Sequence, residues 1–510
     1  MRLNRQSFVI MSAMNSALQQ DGKAQRTAQE IILELEDTVA KKSAVIDQLN
    51  KRIQVLEEYL RLAKHKQFGR SSEQCPDQGD IFNEAELAAC EVHAEDSEAP
   101  AEVPHENKAP QTKRGRKGFS AHIPREQVHI DLPAEEKAGA LDTFYTKVKE
   151  ELDITPAKVR VIEYMQEKAV FLEDGQRRIQ AAPLPKHPLG KVMASLQLLV
   201  YIIVSKYMDG LPLYRLERML HRYGGELTRA SMANWIIRLS LQCQPLIHLL
   251  RAHQHSGPLI QADETRIQVH REPGYSNTGD KRMWVTLGGP PGQPSVLFEY
   301  DPSRRKEVAL RLLDGYQGYV QTDGYAGYDE ACQPSGITQL GCWDHARRKF
   351  VEAQKTQPKG KHKTVSKADV AISKMAKLYA VERRIKHLSD EDKYHQRQKD
   401  SLPLLNDLRQ WLDAHKHKVP KDSLTGKAMT YLDNQWPKLI RYCEDGRLPI
   451  SNVLAENAIR PFVIGPKNWL FADTPKGARA SAIFYSLIET AKANEIDPHA
   501  YLHHIFKALP

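Results

Sequence analysis

The sequence predicts a multidomain α/β protein whose second half carries a mixed β-sheet, preceded by a coiled coil and a helical region. Three observations lead there. At 510 residues the chain exceeds one ordinary core, and roughly 100 to 200 residues per domain implies three or four units. Apolar residues near the N-terminus recur at alternating steps of three and four, the period of a helical seam. Beyond Pro258 the period changes to short alternating runs bounded by glycine and proline, the texture of strands and turns.

The net charge of +9 is compatible with a polyanionic partner, and equally with simple solubility. The six cysteines, Cys75, Cys90, Cys243, Cys332, Cys342 and Cys443, show no CxxC spacing. Neither a disulfide framework nor a cysteine zinc finger is therefore indicated, and a reducing compartment fits best. The start of the chain lacks a signal-peptide apolar region, and the longest apolar patch, Leu198 to Val204, is too short to span a bilayer. The expectation is a soluble, cytoplasmic, nucleoid-associated protein with no membrane partner.

Residues 1–66 are read as an N-terminal helix and zipper. Ile32, Leu35, Val39, Ile46, Leu49, Ile53, Leu56 and Leu60 form a heptad seam broken only by Lys42, which favours a parallel dimer; an amphipathic helix packed on its own protein is the alternative. Residues 67–127 read as a linker, acidic and proline-containing to about Pro110 and too poor in apolar surface to order itself. It ends in Arg114, Arg116 and Lys117, a cationic cluster that can follow a phosphate backbone or remain a solvated charge run. Residues 128–185 suggest a small domain in which Val159 to Tyr164 is the clearest strand. Residues 186–254 are helical: Leu196–Tyr207, then Leu213–Leu220, a Gly224-Gly225 turn, and a helix from Thr228 to Leu239. Arg229, Asn234 and Arg238 would face DNA if this is a helix-turn-helix reader, and simple helix packing is the alternative.

Between 255 and 464 three short strands (258–269, 282–287, 295–300) precede a helix near 304–313 and strands at 318–322 and 337–342. A meander followed by helix, strand, helix and strand is the layout of a ribonuclease-H-like domain, here with a helical insertion at about 351–445. Residues 465–510 form a helical tail. In such a sheet the first and fourth strands lie side by side. Asp263 and Asp323 would then meet at one edge, where the helix bearing Glu456 can bring a third carboxylate. Three hard-oxygen ligands can hold two Mg²⁺ ions, with Mn²⁺ able to substitute, for in-line phosphoryl transfer. Each acid has a plainer reading as a turn cap or a surface helix residue. Arg460, one turn after Glu456, and Lys467 would neutralise DNA phosphate beside the metals. His345, Arg347 and Arg348 follow Cys342 on a helix. The cysteine and histidine at i and i+3 amount to half a zinc site, so phosphate contact or packing is the preferred role for His345 and Arg348.

At these residues the chain resembles the insertion sequence 66 family of bacterial transposases. The resemblance runs through the zipper, Phe68 to Glu73, Arg114 to Lys117, Ser205 to Arg215, Ala262 to Thr265, Thr322 to Tyr328, Cys342 to Phe350, Ala455 to Pro461 and Asn468 to Phe471. It implies that Asp263, Asp323 and Glu456 are a catalytic and metal-binding DDE triad on a ribonuclease-H-like fold. It further implies double-stranded DNA partners, namely element terminal inverted repeats and target DNA, a homo-oligomer joined through the zipper, and element-encoded accessory proteins. Family members usually carry a cysteine zinc-binding domain before the helical region. With no cysteine between Cys90 and Cys243, residues 128–185 would be a degenerate form of it, and zinc is not expected. Two other functions fit the same residues: a nuclease that stops at hydrolysis, and a dimeric DNA-binding regulator with an inactive catalytic domain.

Overall fold

The computed structural model describes residues 28–68, 159–173, 176–183, 185–333, 336–357 and 365–509. The linker with Arg114, Arg116 and Lys117, and most of the small domain expected at 128–185, lie outside the described residues. The chain divides into two units. One comprises the described residues up to 68 with Gln166–Arg218 and Leu227–Pro510, and the other contains residues 159–165 and Met219–Glu226.

The first helix, α1 (Ala28–Phe68), spans 41 residues without glycine or proline. Ile46, Leu49, Ile53, Leu56 and Leu60 on its seam are each more than half exposed, whereas Leu62 is buried against the later helices. The expected strand Val159–Tyr164 does not form: these residues take no regular secondary structure and are exposed, with Val161 at 87%. The hairpin lies a few residues on, with β1 (Lys168–Glu173) antiparallel to β2 (Gln176–Ala181). An alternating sequence becomes a strand only where a neighbour can take its backbone hydrogen bonds.

Helices α2 (Leu196–Tyr207), α3 (Leu213–Arg222) and α4 (Arg229–His255) follow. Thr228 caps α4 as expected, accepting from Ser231 N at 3.2 Å. The helix does not stop near Leu239, however. It continues for 27 residues through Pro245, because Ile236, Leu239, Cys243 and Ile247 keep one apolar face buried. A core-facing stripe sustains a helix across a residue that disfavours it.

The sheet is built from β3 (Leu259–Ile267), β4 (Lys281–Gly288), β5 (Ser295–Asp301), β6 (Gly318–Gln321) and β7 (Ile337–Leu340), in the order β5-β4-β3-β6-β7. The first three strands are antiparallel, whereas β3–β6 and β6–β7 are parallel. The first and fourth strands are thus neighbours, as the sequence reading requires. Helices α5 (Lys306–Leu312) and α6 (Gly327–Ala331) cover one face around Ile260, Ala262, Trp284, Val308 and Tyr328.

After α7 (Trp343–Lys355) come α8 (Lys367–Ile385), α9 (Asp390–Gln396), a π-helical turn, α10 (Leu402–His415) and α11 (Leu424–Leu439). Of these, α7, α8, α10 and α11 share an apolar cluster with Leu340 and Leu62. Then α12 (Val453–Trp469) carries the third acid, and α13 (Pro475–Ala493) and α14 (Pro498–Ala508) end the chain. The break expected between the Glu456 segment and residues 465–471 is absent: α12 runs on through Pro461 and Pro466. Its buried side, with Ala455, Ala458, Ile459 and Phe462, supplies the reason.

Helical neighbours take up backbone groups at both sheet edges. On β5 the amides of Val296 and Phe298 donate to Thr490 Oγ1 (3.0 Å) and Ser486 Oγ (2.7 Å) of α13. Near β7, Gly341 N donates to Lys438 O, and the Arg441 guanidinium to Gln339 O. Edge groups that would otherwise recruit another strand are satisfied internally.

Candidate active site

The parallel register of β3 and β6 aligns Gln261 with Gln321. Asp263 and Asp323 each follow two residues further along the chain. Side chains alternate along a strand, so Asp263 shares a face with Gln261, and Glu264 shares the opposite face with Ile260 and Ala262.

The face bearing Gln261 is where α12 docks. Gln261 Nε2 donates to Gln321 Oε1 (2.8 Å) and to Ser451 O (3.1 Å), while its Oε1 accepts from Ala455 N (3.2 Å). Asn452 Nδ2 donates to Ala262 O (3.2 Å), and Gln321 Nε2 to Pro449 O (2.9 Å). These buried bonds pin the start of α12 to the sheet and deliver Glu456, one residue after Ala455, to the end of the strands where the two aspartates stand.

Electrostatics register the convergence. Burial pushes the Asp263 carboxyl up to about 8, with the charges on Glu264, Asp323 and Glu456 adding to the rise and a hydrogen bond from Glu264 N (2.8 Å) opposing it. A carboxyl raised by its neighbours marks a cluster of negative charge that a cation would relieve. Glu456 Oε1 is buried without a hydrogen-bond partner. Hard oxygen donors of this kind suit a divalent cation of the Mg²⁺ class, and the three acids, which do not gather within 4.8 Å of one another, would draw together to share it.

The Asp323 turn is held by its surroundings. Asp323 Oδ1 accepts from Tyr325 N (2.8 Å), and its carbonyl accepts from the Tyr431 hydroxyl at 2.5 Å. The next residue, Gly324, has φ of +88°, and a Cβ there would lie 3.0 Å from Gln435 Cδ and the Tyr431 hydroxyl. Only glycine fits without strain.

On the opposite face Glu264 is 2% exposed and paired with Arg304, whose Nε lies 2.7 Å from Oε1. Arg304 in turn lies over the Tyr325 ring at 3.9 Å. Burial raises the Glu264 carboxyl above the usual range, and Asp323 adds to the rise. Sequence alternation correctly turns Glu264 away from the Asp263 face; what it cannot reveal is the arginine that holds this acid behind Asp323.

The basic residues sort differently. His345 Nδ1 lies 3.4 Å from Glu456 Oε1, and Arg348 donates to Glu456 Oε2 at 3.1 Å. Burial draws the His345 imidazole below its usual range, opposed by Glu456 and reinforced by Arg348. Burial likewise lowers the half-buried Arg460 guanidinium, and Glu456 opposes it. Arg347 lies within electrostatic reach of Tyr379. Lys467 is exposed in the last turn of α12. Eleven residues at about 1.5 Å rise set it roughly 16 Å along the helix from Glu456, so it does not flank that carboxylate. In the helical region Arg229 and Asn234 are exposed, whereas Arg238 donates to Leu189 O at 2.8 Å. Sequence reading missed Gln261, Gln321 and Asn452. Polar residues inside otherwise apolar strands were the available signal.

Comparison with known proteins agrees with this assembly. Residues 191–480 match the family described as "Transposase IS66 family", residues 55–128 the one described as "Transposase C of IS166 homeodomain", and residues 486–510 the "IS66 C-terminal element". Among curated proteins, "Uncharacterized protein y4qI" of Sinorhizobium fredii (strain NBRC 101917 / NGR234) is 31% identical, with 91% of this chain and 87% of that protein covered. "Uncharacterized protein y4jD" of the same strain is 30% identical, with coverage of 77% and 79%. No solved structure matches. The matched families together take in the end of α1, the sheet with Asp263 and Asp323, the helix with Glu456 and the last helix, and the chain belongs to the IS66 family of transposases.

Proposed function

We propose that the protein is a Mg²⁺-dependent DDE transposase with a ribonuclease-H-like catalytic domain, which cleaves a strand at an element end and joins the freed 3′-hydroxyl to target DNA. The observation that carries the reading is the delivery of Glu456 to the Asp263 and Asp323 strand ends by the Gln261 and Asn452 hydrogen bonds. The sheet order with its first and fourth strands adjacent agrees with the fold assignment.

Asp263, Asp323 and Glu456 would hold the ions. Bound there, two Mg²⁺ ions supply Lewis-acid activation of the attacking oxygen and stabilisation of the leaving one. The chain's own residues do the positioning. Gln261, Gln321 and Asn452 fix the helix to the sheet, the Gly324 turn sets Asp323, and Arg304 holds the Glu264 charge behind it. Arg348 and Arg460 place positive charge beside Glu456, where a DNA phosphate would approach. In cleavage, water attacks the phosphorus and the 3′-oxygen leaves as a hydroxyl. In joining, that hydroxyl attacks a target phosphodiester and displaces the target's 3′-oxygen.

Arg229 and Asn234 on α4 and the segment with Arg114, Arg116 and Lys117 are proposed to bind DNA. The exposed seam of α1 is proposed to form a parallel homodimer, and Mn²⁺ is proposed as a working substitute for Mg²⁺. Among the described residues no helix is long and apolar enough to cross a membrane.

A purified full-length protein incubated with a labelled element-end fragment, target DNA and Mg²⁺ tests the proposal. Joined products are expected. Hydrolysed ends without joined products would make it a nuclease, and end binding without either would make it a DNA-binding regulator.

A further inference from the structure

Overlapping the three acids at Glu456, the described residues hold one group with ligand atoms of mixed softness. Cys342 Sγ, a His345 ring nitrogen and a Glu456 carboxylate oxygen lie within 4.8 Å of one another. Cys342 caps the start of α7 and His345 lies on its first turn, while Glu456 comes from the first turn of α12. The sequence offered Cys342 and His345 as half a zinc site without a second pair; the fold adds a carboxylate from more than a hundred residues away.

A second observation points to a ligand. His345 Nδ1 and Glu456 Oε1 face each other at 3.4 Å, yet both are buried and neither has a hydrogen-bond partner. Two unsatisfied polar atoms aimed at one space are what a cation between them would resolve. The sulfur has a donor as well: Cys342 Sγ accepts from Asn452 N at 3.3 Å. Amide donors of this kind orient and stabilise a metal-bound thiolate. Cys342 is fully buried, but the His345 and Glu456 side chains retain 20% and 18% exposure, which leaves an approach for an ion.

We propose that Cys342, His345 and Glu456 form a binding site for a thiophilic divalent cation of the Zn²⁺ class, distinct in chemistry from the Mg²⁺ site and sharing Glu456 with it. A sulfur, nitrogen and oxygen set is what Zn²⁺ takes and what Mg²⁺ does not. Zinc bonds of about 2.0–2.3 Å put tetrahedral ligands about 3.5 Å apart, so the group closes by roughly 1 Å around the ion, with water as the fourth ligand. On binding, the metal–sulfur bond replaces the thiol S–H bond, and the proton leaves to solvent. Because Glu456 is common to both sites, an ion held by Cys342 and His345 competes for the third acid of the triad. Zinc therefore acts as an inhibitor of the Mg²⁺-dependent reaction. This regulatory part rests on the proposed function; the binding part does not.

The test titrates Co²⁺ into full-length, metal-free protein and follows the sulfur-to-cobalt charge-transfer absorption. Wild type is expected to take up one ion per chain with that band and to surrender it to Zn²⁺. Cys342→Ser should lose the band, and His345→Gln should bind at least tenfold more weakly. Circular dichroism checks both folds, and His345→Gln remains informative if the buried serine does not fold. A wild-type protein without the band, or a folded Cys342→Ser variant that keeps it, would overturn the site. In the cleavage assay, equimolar Zn²⁺ is expected to suppress wild-type activity at least tenfold and to change the residual activity of His345→Gln by less than twofold. A band without inhibition would keep the site and overturn its regulatory role. A chain with the band but no Mg²⁺-dependent cleavage at all would count against the proposed function and not against the site.

Discussion

Asp263 is the residue on which the charge balance of the site turns. Its carboxyl is held at about 8 by burial and by the acids around it, against about 3.9 in an unfolded chain. Between those values the folded chain keeps a proton that the unfolded chain has released, so stability falls as pH rises from about 4 to about 8. The penalty is at most about 5–6 kcal/mol, at about 1.4 kcal/mol per pH unit between about 3.9 and about 8, and a bound divalent cation removes it. Asp263→Asn should therefore raise the melting temperature of metal-free protein at pH 8 and leave it nearly unchanged at pH 4. It should also abolish most of the gain that Mg²⁺ gives wild type. Thermal melts at the two pH values, with and without Mg²⁺, check this; equal melting temperatures of variant and wild type at pH 8 would contradict it. Asp263 and Asp323 were legible as candidates because each ends an apolar run. The burial that raises Asp263 most was not legible, since it comes from tertiary packing; of the charges that add to it, Glu264 is adjacent in sequence, whereas Asp323 and Glu456 lie far along the chain.

At the scale of elements, the strand at β3 and the first turn of α12 behave as one part. Gln261 is fully buried and bonded to Gln321, Ser451 and Ala455. Gln261→Leu removes those bonds and leaves buried groups unpaired, at about 1–3 kcal/mol each. Because Glu456 is then free to shift, cleavage should fall by about 10²-fold while end binding holds within about threefold. Paired gel-shift and single-turnover assays read both, and undiminished cleavage would refute the positioning role. Alternation and turn residues made the five strands of the main sheet legible to within a few residues. The Val159–Tyr164 strand was misread because alternation does not supply a pairing partner. The boundary set at 464/465 falls inside the single helix from Val453 to Trp469, whose buried side, with Ile459 and Phe462, carries it past Pro461 and Pro466.

Across the whole molecule, α1 divides into a packed end and an exposed stretch. Near its C-terminus it is tied to the helical insertion: Tyr59 donates to Asp422 O, Glu58 accepts from Leu424 N, and Lys66 pairs with Glu352 at 2.7 Å. Earlier, Ile46, Leu49, Ile53 and Leu56 remain exposed as a continuous apolar seam. A second copy would cover that seam by heptad packing. Replacing Leu49 and Ile53 together by Asp should convert the full-length protein from dimer to monomer in light scattering, with the far-ultraviolet spectrum of the folded core retained. A dimer that persists would place the self-contact elsewhere. The heptad pattern was plain in the sequence, whereas the tie to the insertion depends on residues some 360 positions apart and left no periodic signal.

The central claim is that Asp263, Asp323 and Glu456 act as one Mg²⁺-dependent centre. The most direct measurement is single-turnover cleavage of an element end by Asp263→Asn, Asp323→Asn, Glu456→Gln and the Asp263→Asn/Glu456→Gln double variant, with end binding measured on the same samples. Groups that act as a unit are non-additive, so each single variant should lose at least about 10³-fold in rate and the double variant little more, all with end binding intact. Wild-type cleavage by any one of the single variants would contradict the claim.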